Sequence, residues 1–161
     1  MRKRVEGFIE IPDAQIIFKN FAGRERGRYN QEGDRNFCVI IEDETLADQL
    51  ANDGWNIKTR TSPDGIETIY MPVKIGYKVR PPQIFMVTAE GKETKLSEEE
   101  LEVLDEVDIA SADIAVNPYN WERDEKYGVA AYLKSGWFYL EKTPFFEKHH
   151  AQEDDLPPFD I

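Results

Sequence analysis

One cysteine and two histidines in 161 residues leave little from which to build a metal centre, a disulfide or a nucleophilic active site. Cys38 lies between Phe37 and Val39 in an apolar run, so it reads as a small buried side chain in a reducing compartment, and a lone thiol closes no internal disulfide. His149 and His150 are adjacent near the end of the chain, with no fixed neighbours to complete a ligand set. The sequential acids Asp124-Glu125 and Asp154-Asp155 read as ordinary solvated residues. No P-loop, dinucleotide glycine fingerprint, HExxH helix or Cys/His zinc spacing occurs. A non-enzymatic protein with no cofactor and no metal is expected. No apolar run approaches the ~20 residues of a membrane span. Met1-Arg2-Lys3-Arg4 leads into the alternating Val5-Glu6-Gly7-Phe8-Ile9-Glu10, which is no signal-peptide core, so a cytoplasmic location is expected.

The chain is long enough for one domain with its own core, and 40% of its residues are apolar. The net charge of -12 argues at first against a polyanionic partner. Its distribution reverses that argument. Residues 90 to 108 carry nine acids and two bases, and residues 147 to 161 carry five acids and one base, which leaves -1 for everything else. Residues 1 to 36 are net +2, with five bases between Lys19 and Arg35. A mixed-charge body with a basic loop is compatible with nucleic acid.

Period-2 alternation predicts strands near 5 to 10, 14 to 21, 35 to 42, 55 to 60, 66 to 79, 83 to 88, 108 to 116 and 127 to 140. Two helices interrupt them. One is expected from Thr45 to Asp53, with Thr45 as N-cap, Asp48 as its capping-box partner, Leu46 and Leu50 on one face, and Gly54 just past the end. The other starts at a Ser97/Glu100 capping box flanked by Leu96 and Leu101, and its remaining acids form a solvated face. Many short strands without regular strand-helix alternation predict a mainly β fold, a small barrel with two inserted short helices. Composition predicts no packed structure after about Glu147, which divides the chain into a domain over 1–146 and an acidic tail over 147–161.

The stretch "KNFAGRERGRYNQEGDRNF", Lys19 to Phe37, is too long for an ordinary hairpin loop. Its glycines allow close backbone approach to a phosphate chain. Lys19, Arg24, Arg26, Arg28 and Arg35 supply positive charge, while Phe21 and Tyr29 offer flat faces for unpaired bases; Phe37 reads as core. The alternative is a solvated hairpin whose arginines pair with Glu25, Glu32 and Asp34. In 66 to 79 the alternation turns Ile69, Met71, Val73 and Ile75 inward and Tyr70, Lys74 and, further along, Lys78 outward. In "YGVAAYLKSGWFYL" it buries Val129, Ala131 and Leu133 and exposes Tyr132 and Lys134, with Trp137 in phase with the buried set. Trp55, followed by Lys58 and Arg60, is a further candidate, although a tryptophan after a helix-ending glycine also reads as a core anchor. Tyr119 and Trp121 fall in a Pro-containing turn and read as structural. Together these groups predict largely sequence-independent binding of single-stranded DNA. The competing reading is an acidic protein-interaction module that mimics DNA and occupies a nucleic-acid enzyme.

Two resemblances follow. "EDDLPPF" resembles the C-terminal tip of bacterial single-stranded DNA-binding proteins, a partner-docking peptide. The likeness implies Phe159 as the pocket residue, Glu153, Asp154 and Asp155 as the acidic stretch, and Leu156, Pro157 and Pro158 as the lead-in. That family's tip ends at its aromatic residue, whereas this chain continues through Asp160 and Ile161. The body, in "FKNFAGRERGRYNQEGDRNFCVIIEDETLADQLANDGWNIK", "RPPQIFMVT", "NPYNW" and "GVAAYLKS", resembles phage-encoded single-stranded DNA-binding proteins of the OB-fold type over about residues 12 to 141. That likeness implies an OB-type barrel coating single strands during phage DNA replication or recombination, with replication and repair proteins as partners through the tail, no membrane, and self-association into a homo-oligomer left open.

Overall fold

The computed structural model describes residues 4–141. The expected acidic tail and its boundary at 146/147 lie outside the described residues, as do His149 and His150. The described chain runs β1 (Ile9–Ala14), β2 (Ile16–Asn20), β3 (Arg35–Ile40), α1 (Glu44–Asp53), β4 (Lys58–Thr61), β5 (Glu67–Ile75), β6 (Gln83–Val87), β7 (Glu93–Leu96), a 3₁₀ helix (Glu98–Asp105), β8 (Ile109–Arg123) and β9 (Lys126–Leu140). It is mainly β, as the alternation implied.

All nine strands belong to one sheet, with the path β1-β8-β9-β5-β3-β2; β4 adds to β5, and β6 joins β9 to β7. The two ends of that path are consecutive in the chain, separated only by Gln15. One bent strand therefore serves both margins, pairing with β8 through its first half and with β3 through its second. The bend is marked by Asp13 at φ 49 and by a register shift between Ile11 and Ala14. The sheet curls around a core in which Phe21, Phe37 and Phe138 meet as three rings with centroids 5.3–5.6 Å apart. Leu101 and Leu104, both fully buried, extend that core.

Local signals explain the helices and correct two expectations. The N-cap of α1 is Asp43 and not Thr45: its carboxylate accepts from the Thr45 and Leu46 amides, a stronger use of the first-turn dipole than a threonine hydroxyl offers. Asp48 has no capping role there. Gly54 ends α1 at φ 101, a left-handed conformation that glycine takes without a Cβ penalty. Ser97 and Glu100 do form the expected box, with the Ser97 amide donating to Glu100 Oε1 at 2.8 Å. What they start is 3₁₀ and not α. The largely polar stretch ahead of it, Glu93–Leu96, forms the unexpected strand β7 against β6, with only Leu96 buried.

Three further departures come from strand geometry. The stretch "NPYNW" is no turn, because β8 runs straight through it to Arg123 and pairs Pro118 with Ala131. Pro118 is tolerated there because β1 pairs no further along β8 than Val116, so the missing amide breaks no second ladder. The turn comes instead at Asp124 and Glu125, both at positive φ, the two-residue primed hairpin whose twist suits long strands. On β9, Ser135 pairs with Ala115 and Leu133 with Val116, so Lys134 is an extra residue. This bulge shifts the phase: Gly136, Phe138 and Leu140 are buried, and Trp137 turns out of the core. There its ring stacks on Phe85 at 4.9 Å and its indole N–H donates to Glu93. Phe21, expected as a base platform, has 0% exposure and belongs to the core.

Candidate nucleic-acid interface

Directly opposed residues in an antiparallel pair share a face, so the register assigns side chains to the inner or outer side of the barrel. On β8 and β9 the pairs Asn117–Tyr132, Tyr119–Ala130 and Trp121–Gly128 lie outside, while Val116–Leu133 and Asn120–Val129 alternate with them. β5 runs parallel to β9 and sets Lys74 beside Tyr132. The outer face thereby gathers Tyr119, Trp121, Tyr132 and Lys74 around an open cleft of about 650 Å³, with Trp55 in its wall and Tyr127, from the hairpin end of β9, also lining it. The Tyr119 and Tyr132 rings meet edge to face at 5.8 Å, and Lys74 Nζ stands 6.0 Å from the Tyr132 centroid. Tyr119 is 57% exposed and Trp121 39%. Trp55 is itself buried, held by a bridge to Val129 just past the end of α1.

A second group lies along the same face of β5. Lys58 opposes Tyr70 and Arg60 opposes Thr68 across the β4–β5 pair. Phe18, which sequence reasoning passed over, meets the Tyr70 ring edge-on at 5.7 Å and carries the Arg60 guanidinium 5.3 Å from its centroid. Between the two groups, Pro72 opposes Cys38 and contributes no charge. Burial pushes the Cys38 thiol up to about 11, against a smaller opposing pull from Lys58, so it stays protonated and poorly nucleophilic at neutral pH.

The loop between β2 and β3 is organised by asparagines. Asn20, buried, holds both the amide and the carbonyl of Arg24, while Asn30 donates to the Arg24 and Asp34 carbonyls and accepts from Asn36. Two of its arginines find the 3₁₀ helix rather than the loop's own acids: Arg35 pairs with Glu98 at 2.8 Å and Arg24 reaches Glu102 at 4.0 Å. Asp105 accepts the Phe21 and Ala22 amides. Glu98 and Asp105 of that helix thus work within the fold, while Glu99, Glu100, Glu102 and Glu106 stay exposed, the solvated face the sequence implied. Arg26 donates to the Lys19 carbonyl, and Arg28 stands over its exposed neighbour Tyr29.

The sequence candidates therefore divide. Trp55, Lys74 and Tyr132 come together in the cleft; Lys58, Arg60 and Tyr70 come together beside Phe18; Arg24, Arg26, Arg28 and Tyr29 stand on the loop. Lys134 is exposed with its ammonium 4.7 Å from the Phe8 centroid. β5 ends at Ile75, which leaves Lys78 exposed in the connection to β6 rather than on the strand face. Arg35 is committed to Glu98. Lys19 is turned inward: its ammonium donates to the Leu104 and Val107 carbonyls at the end of the 3₁₀ helix, and desolvation lowers its pKa despite the nearby Asp105 and Asp108. Of the cleft residues missed in the sequence, Tyr119 and Trp121 had a signal in the i, i+2 spacing that continues through Asn117, Tyr119 and Trp121, whereas Tyr127, out of phase with Tyr132, had none. Among the described residues no cluster of three or more His, Cys, Asp or Glu side chains is placed to hold a metal, and no helix is long and apolar enough to cross a membrane.

A small curled barrel with ring side chains and cations on one outer face is an OB-like module, a class of fold whose sheet face carries oligonucleotides and oligosaccharides. The chain belongs to the phage ssDNA-binding domain family, whose profile matches residues 1–157. Its fold is similar to that of the single-stranded DNA-binding protein of bacteriophage Enc34, with a TM-score of 0.55 at 13% identity over 95% of this chain and 96% of that one. A C-terminally truncated form of the Enc34 protein gives 0.55 at 12% identity over 89% and 95%. The same protein in complex with ssDNA gives 0.47 at 14% over 89% and 96%. No curated protein matches the chain in sequence.

Proposed function

We propose that this protein binds single-stranded DNA without sequence preference and without catalysing a reaction, in phage DNA replication or recombination in the cytoplasm of the bacterial host. The observation that carries the reading is the aromatic cleft of a chain in this family: Tyr119, Trp121 and Tyr132 surround open space beside a lysine. Unpaired bases expose the faces that such rings stack on, at roughly 1–3 kcal/mol per base, whereas a duplex hides them. Lys74, Lys58 and Arg60 beside the rings, and Arg24, Arg26 and Arg28 on the loop, are the candidate phosphate contacts. Titration with oligothymidine, followed by tryptophan emission, tests this. Emission falls on binding at low salt and recovers as salt rises; an unchanged spectrum at low salt removes the reading.

The acidic end supplies a second role within the same reading. Asp154, Asp155, Leu156, Pro157, Pro158 and Phe159 form a docking peptide for replication and repair proteins, and their charge competes weakly for the basic surface until DNA occupies it. Removal of residues 151–161 then raises oligothymidine affinity at low salt. Equal affinity with and without them eliminates the competition.

A further inference from the structure

Phe18 is held in an unusual way. It is a bulky residue at φ 54, in the left-handed region that is strained for a non-glycine residue, and its ring stands 45% exposed instead of in the core. The strain has one internal explanation: the pairing of β2 with β3 shifts register between Ile17 and Asn20, which turns Lys19 in to the 3₁₀ helix carbonyls and Asn20 in to the loop. Such a bulge throws residue 18 outward. It does not call for an aromatic ring there. Yet the ring meets Tyr70 and lies under Arg60, and Lys58 stands opposite Tyr70.

We infer that Phe18, Tyr70 and Arg60 form a second base-stacking station, joined to the aromatic cleft by a single DNA strand lying along the outer face of β5. The inference rests on the single-strand reading above and adds a path to it. Ring and guanidinium plane both accept the face of a base, and Lys58 supplies a phosphate contact beside them. Tyr70 and Lys74 share one face of β5 four residues apart, about 13 Å at the usual strand rise. That is the length of about four nucleotides at the 3.4 Å helical spacing and fewer in a stretched strand. Cys38 and Pro72 between them put no charge in the way.

Phe18→Gly separates the station from the bulge. Glycine takes φ 54 without strain, so this variant keeps the backbone and loses only the ring. It is compared with the wild type and with Arg60→Ala in titrations with oligothymidines of three to twelve nucleotides, with thermal melting as the control. The expected result is a Phe18→Gly protein whose melting temperature is at least that of the wild type and whose affinity for the twelve-mer is about tenfold weaker, with a deficit that grows with length; Arg60→Ala shows the same growth. If the wild type binds the twelve-mer and Phe18→Gly binds it equally well, the ring is a by-product of the bulge and the second station is refuted. If the wild type binds none of the oligomers, the single-strand reading itself fails.

Discussion

The indole of Trp121 covers Gly128 on the opposite strand of the β8–β9 hairpin, so close that a Cβ built on Gly128 would come within 2.8 Å of the ring. A glycine covered by a cross-strand aromatic is stabilised by a ring that fills the space of its missing side chain. The pairing also fixes the indole at the cleft wall. Gly128→Ala is expected to push Trp121 off its seat, at about 1–3 kcal/mol in stability, and to weaken oligothymidine binding together with it. Trp121→Ala is expected to weaken binding about tenfold with little change in salt dependence, since stacking releases no counterions. Denaturant melts and titrations at two salt concentrations measure both. Normal affinity in Trp121→Ala would take the indole out of the interface.

Charge contributes through a different observable. Each phosphate contact on a single strand contributes about 0.7 to the slope of log affinity against log salt. Lys74→Met is expected to lower that slope by about one contact, because its ammonium is exposed beside Tyr132 and pairs with no carboxylate among the described residues. Arg24, Arg26 and Arg28 changed together to alanine are expected to lower it further and to weaken binding equally for every base composition. Arg24 is the weakest of the three in this respect, since Glu102 already stands at 4.0 Å. An unaltered slope in the triple variant would place the loop away from the DNA.

Much of the barrel was legible because its cause is local. Alternation in β3, β5 and the first half of β9 reports directly which side chains face the core, and Gly54, Ser97 and Glu100 announce helix ends through chemistry confined to one turn. The failures share a different origin. Trp137 was assigned to the core because nothing near it in sequence reveals that Lys134 is an extra residue; only the register against β8 does. Pro118 read as a turn because its tolerance depends on where a strand more than a hundred residues earlier stops pairing. Phe21 sits in a glycine-rich loop by sequence and among core rings in space, drawn in by Asp105 on its amide. The cleft inherited these errors: Tyr132 and Lys74 were visible from strand phase, whereas Tyr119 and Trp121 were hidden behind the proline.

Lys19 gives a test in which affinity and stability part. As a basic residue at the edge of an arginine-rich loop it would be expected to meet phosphate, but its ammonium donates at 2.9 Å and 2.6 Å to two backbone carbonyls. Hydrogen bonds from a charged donor contribute about 1.5–3 kcal/mol, and partial exposure places this pair toward the low end. Lys19→Met is expected to destabilise by about 1–2 kcal/mol, seen as a lower denaturant midpoint, while the salt slope of DNA binding stays put. A shallower slope with unchanged stability would instead make Lys19 a phosphate ligand.

The capping box sets a pH dependence whose sign is fixed by the geometry. The Ser97 amide and hydroxyl bond the Glu100 carboxylate in the folded chain, which lowers its pKa below the ordinary glutamate value. A carboxyl with a depressed folded pKa binds its proton more weakly folded than unfolded. Its stabilisation is therefore fully present above the unfolded pKa, near 4.3, and fades as pH falls through the folded one. Glu100→Gln keeps an acceptor at the box but carries no charge at any pH. The wild type should therefore melt above Glu100→Gln at pH 7, the gap should narrow below about pH 4, and the two should converge at lower pH. A constant gap across that range would mean that the glutamate contributes through shape alone and that the carboxylate charge is irrelevant to how the acidic helix is started.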